Sequence, residues 1–234
     1  MMDGITLIHG DCIAEMAKMP ECSVDLALTD PPYKTITGGD SGDRPKGMLS
    51  GNRRLFEHQF DIEIADWIAP LYRVLKEDSH AYIFTNALNM TEMLVEAQKV
   101  GFKLHNILVW EKNNCTPSQF YMKNAEYVLF LRKGKAKWIR NIGSSFTVHR
   151  VPNIIGGKLH PCEKPIPLLR MYIENSTENG DVVLDPFMGS CSAGAACAEC
   201  GRRFIGIEKD ADFFATAARR MESLSRNGLQ GELF

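Results

Sequence analysis

Val182-Val183-Leu184-Asp185-Pro186-Phe187-Met188-Gly189-Ser190-Cys191-Ser192-Ala193-Gly194 is the stretch whose reading decides the fold. Its first residues read as a short buried strand, and the Ala-rich run after it reads as a helix over Ser192–Cys200. Glycines between a strand and a helix let the backbone turn tightly and approach a ligand closely. The next apolar run, Phe204-Ile205-Gly206-Ile207, ends in Glu208. A carboxylate about 20 residues past the first glycine of such a loop can accept hydrogen bonds from both ribose hydroxyls of a nucleoside. The unit reads as a nucleotide pocket.

Its place in the chain is unusual. In a doubly wound sheet the glycine loop follows the first strand. Here only one strand and one helical pattern, Ala211–Ser225, come after it. The remaining strands must be supplied by the earlier part of the chain, as in a circular permutation. Working back, strand-like runs stand at Ile5–His9, Val24–Thr29, Ala81–Thr85, Leu104–Trp110 and Tyr127–Arg132. Helical patterns occupy Ile64–Leu75, Thr91–Val100 and Ile166–Ser176. Alternation of this kind predicts an α/β fold, with a mostly parallel sheet and helices on both faces. Leu104–Trp110 and Tyr127–Arg132 are close enough in sequence to form an antiparallel edge. Two segments, Lys34–Phe60 and Lys133–Leu159, break the pattern and read as long irregular loops, a class that usually carries function.

Length and composition set the frame. The chain has 234 residues and a net charge of −2, which suits one globular domain with its own core. No run approaches the roughly 20 apolar residues of a membrane helix. Met1–Gly10 lacks the regions of a secretory signal, so a cytoplasmic location is the expectation. The odd count of seven cysteines suits reduced thiols. Cys197 and Cys200 form a CxxC without a second ligand pair, so no metal site is expected and the pair reads as helix packing.

A second motif lies at the end of the strand Val24–Thr29. There Asp30-Pro31-Pro32-Tyr33 follows, and two prolines fix the backbone rigidly at the sheet's carboxyl end. That edge is where open α/β sheets bind ligands. Asp30 and the Pro31 carbonyl can accept from a planar ring's amino group, while Tyr33 can stack on the ring. The bland reading is a proline-stabilised turn with an incidental Asp.

Asp30-Pro31-Pro32-Tyr33 resembles the DPPY motif of amino-group DNA methyltransferases, and Asp185-Pro186-Phe187-Met188-Gly189-Ser190 resembles their cofactor motif. His160-Pro161-Cys162-Glu163-Lys164-Pro165 is similar to the HPxxKP element that precedes it, and Gly10-Asp11-Cys12 to a short turn near the N-terminus. DPPY before the cofactor motif is the order of the β-class, and the resemblance spans nearly the whole chain. It implies a single circularly permuted Rossmann-like methyltransferase domain over residues 1–234 that uses S-adenosylmethionine on double-stranded DNA, with a homodimer left open. Asp30, Pro31, Pro32 and Tyr33 would hold the flipped base. Asp11, Cys12, Asp185, Phe187, Gly189, Ser190, Ser192 and Glu208 would line the cofactor pocket, with His160 and Lys164 closing it.

The two irregular segments would then carry DNA recognition. Arg44, Lys46, Arg53 and Arg54 would make Lys34–Phe60 a lid over the DNA. Arg132, Lys133, Lys135, Lys137 and Arg140 would contact phosphates, against the ordinary reading of a solvated charge run. Asp before Pro-Pro leans to adenine N6 over cytosine N4. There are two departures: Cys191 occupies a position that is usually glycine in this family, and Ala193 one that is usually threonine. A side chain at the Cys191 position costs roughly 1 kcal/mol or more if the backbone is left-handed. Rival readings are a protein-amide or RNA methyltransferase, a catalytically silent DNA-binding domain, and a nicotinamide-dependent dehydrogenase.

Overall fold

A computed structural model describes residues 3–32, 62–116, 121–160 and 162–231. Eight strands form one sheet: β1 (Ile5–His9), β2 (Val24–Thr29), β3 (Leu75–Thr85), β4 (Lys103–Thr116), β5 (Lys123–Arg132), β6 (Val148–Arg150), β7 (Val182–Asp185) and β8 (Arg203–Glu208). Helices are α1 (Cys12–Lys18), α2 (Ile64–Val74), α3 (Met90–Lys99), α4 (Ile166–Ser176), α5 (Ser192–Glu199) and α6 (Ala211–Gly231). The sheet order is β1-β8-β7-β2-β3-β5-β4-β6. All neighbours pair in parallel except β5, which runs against both β3 and β4.

Counted from β7, the glycine-loop strand, the five parallel strands from β1 to β3 stand in the order 3-2-1-4-5. That is the doubly wound arrangement, reached here by a permuted chain. The central strands are buried on both faces, which is why they read as continuous apolar runs. Alternate residues go to opposite faces. Leu26, Leu28, Val128 and Phe130 pack with Leu168, Leu169, Tyr172 and Ile173 of α4, Ala196 of α5 and Met221 of α6. Ala27, Ala81, Leu129 and Leu131 pack on the other face with Met16 of α1, Trp67, Ile68 and Leu71 of α2, and Met93 of α3.

The structure departs from the sequence reading in four places. Helix α1 was not foreseen; at seven residues it is short, and Asp11 caps it by accepting from Ile13 N at 3.0 Å and Ala14 N at 3.1 Å. Strand β3 begins at Leu75, six residues before the apolar run, and its polar start carries an irregularity with Asp78 at φ 58. The expected edge hairpin forms, but β6 adds outside β4. Residues 133–159 are therefore not wholly irregular: they hold a 3-10 turn at Ile142–Ser144 and β6, whose buried His149 lies 3.0 Å from Tyr172 Oη. Tyr33, the segment Lys34–Phe60 and with it Arg44, Lys46, Arg53 and Arg54 lie outside the described residues.

Candidate active site

β2 and β7 are neighbours, and the helices that follow them in the chain, α2 and α5, pack on opposite faces of the sheet. Such a switch point opens a crevice that binds ligands. Asp30 follows β2 and Asp185 ends β7, so two carboxylates reach this crevice from distant parts of the chain. Thr29 Oγ1 donates to Asp185 Oδ1 at 2.8 Å, and Phe187 N donates to the same oxygen at 3.1 Å. Burial pushes the Asp185 carboxyl up to about 7, against the pull of these two donors.

The glycine-loop side of the crevice is built around Glu208. Its Oε2 accepts from Gly189 N at 2.9 Å and its Oε1 from Asp210 N at 2.8 Å. Each carboxylate oxygen keeps a lone pair for a hydroxyl. Burial raises its pKa. Gly189 has φ +50, and a Cβ there would sit 3.4 Å from the His160 ring. His160 thus closes over the loop, with its ring also edge-on to Phe213 at 4.2 Å between centroids. Its Nδ1 accepts from Cys162 N at 3.1 Å, and burial lowers its pKa to about 4, so the ring is neutral with the proton on Nε2. Phe187 packs edge-to-face on Trp67 at 5.4 Å. Asp11 stands at the adjoining end of β1, 3.8 Å from Lys209 Nζ. The Cys12 thiol does not line the crevice. It is buried in the core beneath α1, and burial pushes it up to about 12.

Ser190 and Ser192 turn their hydroxyls to Arg220 of α6, a residue the sequence did not single out. Arg220 donates to Ser190 O at 2.8 Å and to Ser190 Oγ and Ser192 Oγ at 3.2 Å each, and forms an ion pair with the buried Glu163. Glu163 also accepts from Leu159 N at 2.7 Å. Arg220 therefore welds the glycine loop to the segment that carries His160 and Lys164. Cys191, the N-cap of α5, sits at φ 62, ψ 39, and the left-handed backbone expected for a glycine is present with a thiol on it.

Around Asp30 the charges alternate. Lys164 Nζ pairs with Asp30 Oδ2 and lies 3.3 Å from Glu126 Oε2, while Glu126 Oε1 pairs with Lys112 Nζ. Phe84 lies under Lys164 and Trp110 under Lys112, at 5.0 and 4.9 Å from ammonium to ring centroid. Burial raises the Asp30 carboxyl, and Lys164 opposes it. Glu126 is held below its usual range by Lys164 and Lys112, which outweigh burial. Lys158, lowered by burial and by the Lys112 and Lys164 charges, borders the group. Asp30 Oδ1 is buried and has no hydrogen-bond partner among the described residues. An orphaned acceptor of that kind fits a donor supplied by a ligand. Lys112, Glu126 and Lys158 went unread because each looks ordinary in sequence; a carboxylate opening the apolar run Tyr127–Arg132 was the available signal.

The basic cluster expected to grip DNA needs correction. The β3–β5 ladder runs from Thr85 opposite Tyr127 at the catalytic edge to His80 opposite Arg132 at the other edge. Five residues at about 3.4 Å each separate the two by roughly 17 Å. Lys133 is 5% exposed and donates to Tyr72 O at 3.0 Å and Leu75 O at 2.8 Å. Arg132 donates to Gly134 O, and Arg140 pairs with Glu178. Lys135 and Lys137 are exposed, on the edge away from Asp30. The second half of the segment, from β6 onward, returns to the catalytic edge with Arg150 and Lys158.

A family model described as DNA methylase, of the N6/N4 type, matches residues 24–148 and 140–219. The chain belongs to this family. Among its relatives, the type II methyltransferase M2.DpnII of Streptococcus pneumoniae is 29% identical, over 93% of this chain and 89% of that one. The putative methylase YubD of Escherichia coli K12 is 30% identical, over 96% and 93%. The crystal structure of the M1.HpyAVI–SAM complex has a TM-score of 0.70 at 28% identity, covering 92% of this chain and 99% of its own. The PvuII DNA methyltransferase, cytosine-N4-specific, has a TM-score of 0.72 at 18% identity over 93% and 86%, a likeness of fold. As a DNA methylase of the N6/N4 family, the chain acts on an exocyclic amino group, and its crevice brings together the DPPY aspartate, the cofactor loop and the HPxxKP lysine.

Proposed function

We propose that this DNA methylase transfers a methyl group to the N6 of an adenine extruded from duplex DNA, with Asp30 as the group that holds the target nitrogen. The carrying observation is Asp30 itself: one oxygen is fixed by Lys164, and the other is buried with nothing to accept from among the described residues. An exocyclic amino group is unreachable inside a duplex, so the base must leave the stack. Its nitrogen is a poor nucleophile because its lone pair is delocalised into the ring. Hydrogen bonds to Asp30 Oδ1 and the Pro31 carbonyl would draw the hydrogens into place and localise that pair. Most of the rate would then come from positioning. Asp30 is also the nearest base for the proton that the nitrogen releases, with water as its final acceptor.

The crevice fits S-adenosylmethionine, which supplies an electrophilic sulfonium methyl when bound. Glu208 would accept from the ribose hydroxyls, Phe187 and Asp11 would flank the nucleoside, and Asp185 would face its charged end. His160, neutral, would cover the loop at Gly189 without repelling a cation. The adenine choice rests on the Asp before Pro-Pro. Transfer of tritiated methyl to unmethylated genomic DNA, followed by nucleoside analysis, tests it: N6-methyladenine is expected. Label found only in N4-methylcytosine would overturn the base and keep the mechanism, and no transfer would overturn both.

A further inference from the structure

The four charges Lys112, Glu126, Lys164 and Asp30 come from β4, β5, the segment before α4 and the end of β2, yet they meet in one largely buried line. Lys164 is shared. It pairs with Asp30 and also lies 3.3 Å from Glu126. A carboxylate gripped by a lone ammonium in a dry site spends its charge on that partner and is a weak acceptor for anything else. A carboxylate whose ammonium partner is pulled from the other side keeps more of that charge.

We propose that Glu126, oriented by Lys112, is a positioning residue that places a second carboxylate beside Lys164, offsets part of the ammonium charge and keeps the Asp30 carboxylate available to the target amino group. This rests on the reading of Asp30 given above. The groups that face Asp30 are Lys164 and Cys162 from the segment before α4, Glu126 from β5, Lys112 from β4 and Asp185 from β7. Among them Glu126 raises the proton affinity of Asp30, whereas Lys164 and Lys112 lower it. Removing Glu126 or Lys112 should therefore move Asp30 in opposite directions, which a general loss of structure would not do.

The test is the single-turnover rate against pH, with saturating S-adenosylmethionine and DNA, for the wild type, Glu126→Gln, Lys112→Gln and the double variant. Glu126→Gln should shift the acid limb down by about one unit. It should also slow the plateau about tenfold, with both KM values kept within about twofold. Lys112→Gln should shift the acid limb up, and the double variant should return it toward the wild type. If Glu126→Gln does not fold, Lys112→Gln carries the test alone. Asp30→Asn separates the two failures. An active Asp30→Asn enzyme means that the reading of Asp30 is wrong. A dead Asp30→Asn with unmoved limbs in Glu126→Gln and Lys112→Gln overturns the role of Glu126 alone.

Discussion

Replacing Arg220 with leucine should unfasten the glycine loop without replacing any residue of the crevice. Arg220 and Glu163 are 13% and 4% exposed, so the variant leaves a buried carboxylate that still accepts from Leu159 N but has lost its ion pair. Breaking a buried pair by removing one member costs about 3–5 kcal/mol, chiefly from the charge left behind. The three bonds to Ser190 and Ser192 go as well. For a chain of this size that loss should lower Tm by roughly 10 °C. Urea denaturation of Arg220→Leu, Glu163→Leu and the double variant measures it as a cycle. The double variant should recover most of the loss, because replacing both members by apolar groups is often neutral. Titration with S-adenosylmethionine should show weaker binding in Arg220→Leu, since Ser190 and Ser192 lose their anchor. A single-variant loss under about 1 kcal/mol would refute the reasoning, as would strict additivity, since either means that the pair is solvated.

Cys191→Gly should be more stable than Cys191→Ala by about 1 kcal/mol, the reverse of the usual order, because Cys191 sits at φ 62; urea midpoints decide it. Burial, and secondarily the neighbouring His105, lowers the pKa of His80 to about 4, below the unfolded value near 6.5. Its contribution to stability is therefore complete above pH 6.5 and is lost as pH falls toward 4, to a total of about 3 kcal/mol, and His80→Gln should flatten that part of the stability–pH curve. Lys135→Ala and Lys137→Ala should leave the salt dependence of DNA affinity unchanged, whereas a slope reduced by about one unit per lysine would return the far edge to the interface.

The fold was legible because each layer repeats one signal many times. Strands such as Val24–Thr29 and helices such as Ile166–Ser176 have the same bounds in sequence and structure, since burial on both sheet faces forces continuous apolar runs. α1 and β6 escaped because they are short and their residues serve several ends: Asp11 caps a helix beside the crevice, and His149 is a polar residue buried against Tyr172. The site was legible where it rests on local backbone chemistry, as in Asp30-Pro31 or the loop at Gly189. It was illegible where it depends on pairing. Nothing in the sequence around Arg220 says that its partner lies 57 residues away, and nothing around Lys133 says that its ammonium is capped by backbone carbonyls. The charge run from Arg132 was illegible for the same reason: proximity to an irregular segment in sequence says nothing about which edge of the sheet that segment leaves.

The permutation itself follows from what the crevice requires. A switch point needs β7 and β2 adjacent, parallel and open at the same end; it does not need them consecutive in the chain. The chain order is interrupted between β8 and β1, which pair in parallel along Ile5–His9. In an unpermuted sheet a crossover helix would join them. Here α6 leaves β8 and packs back through Ala217 and Met221, in the cluster that also holds Ile5, as that crossover would. Breaking the connection costs only chain entropy, which grows slowly with loop length, so the pairing of β1 with β8 suffices. Because α6 lies over the β1–β8 half of the sheet, its Arg220 reaches the glycine loop, and the helix in the place of that crossover locks the loop on which the nucleoside would rest.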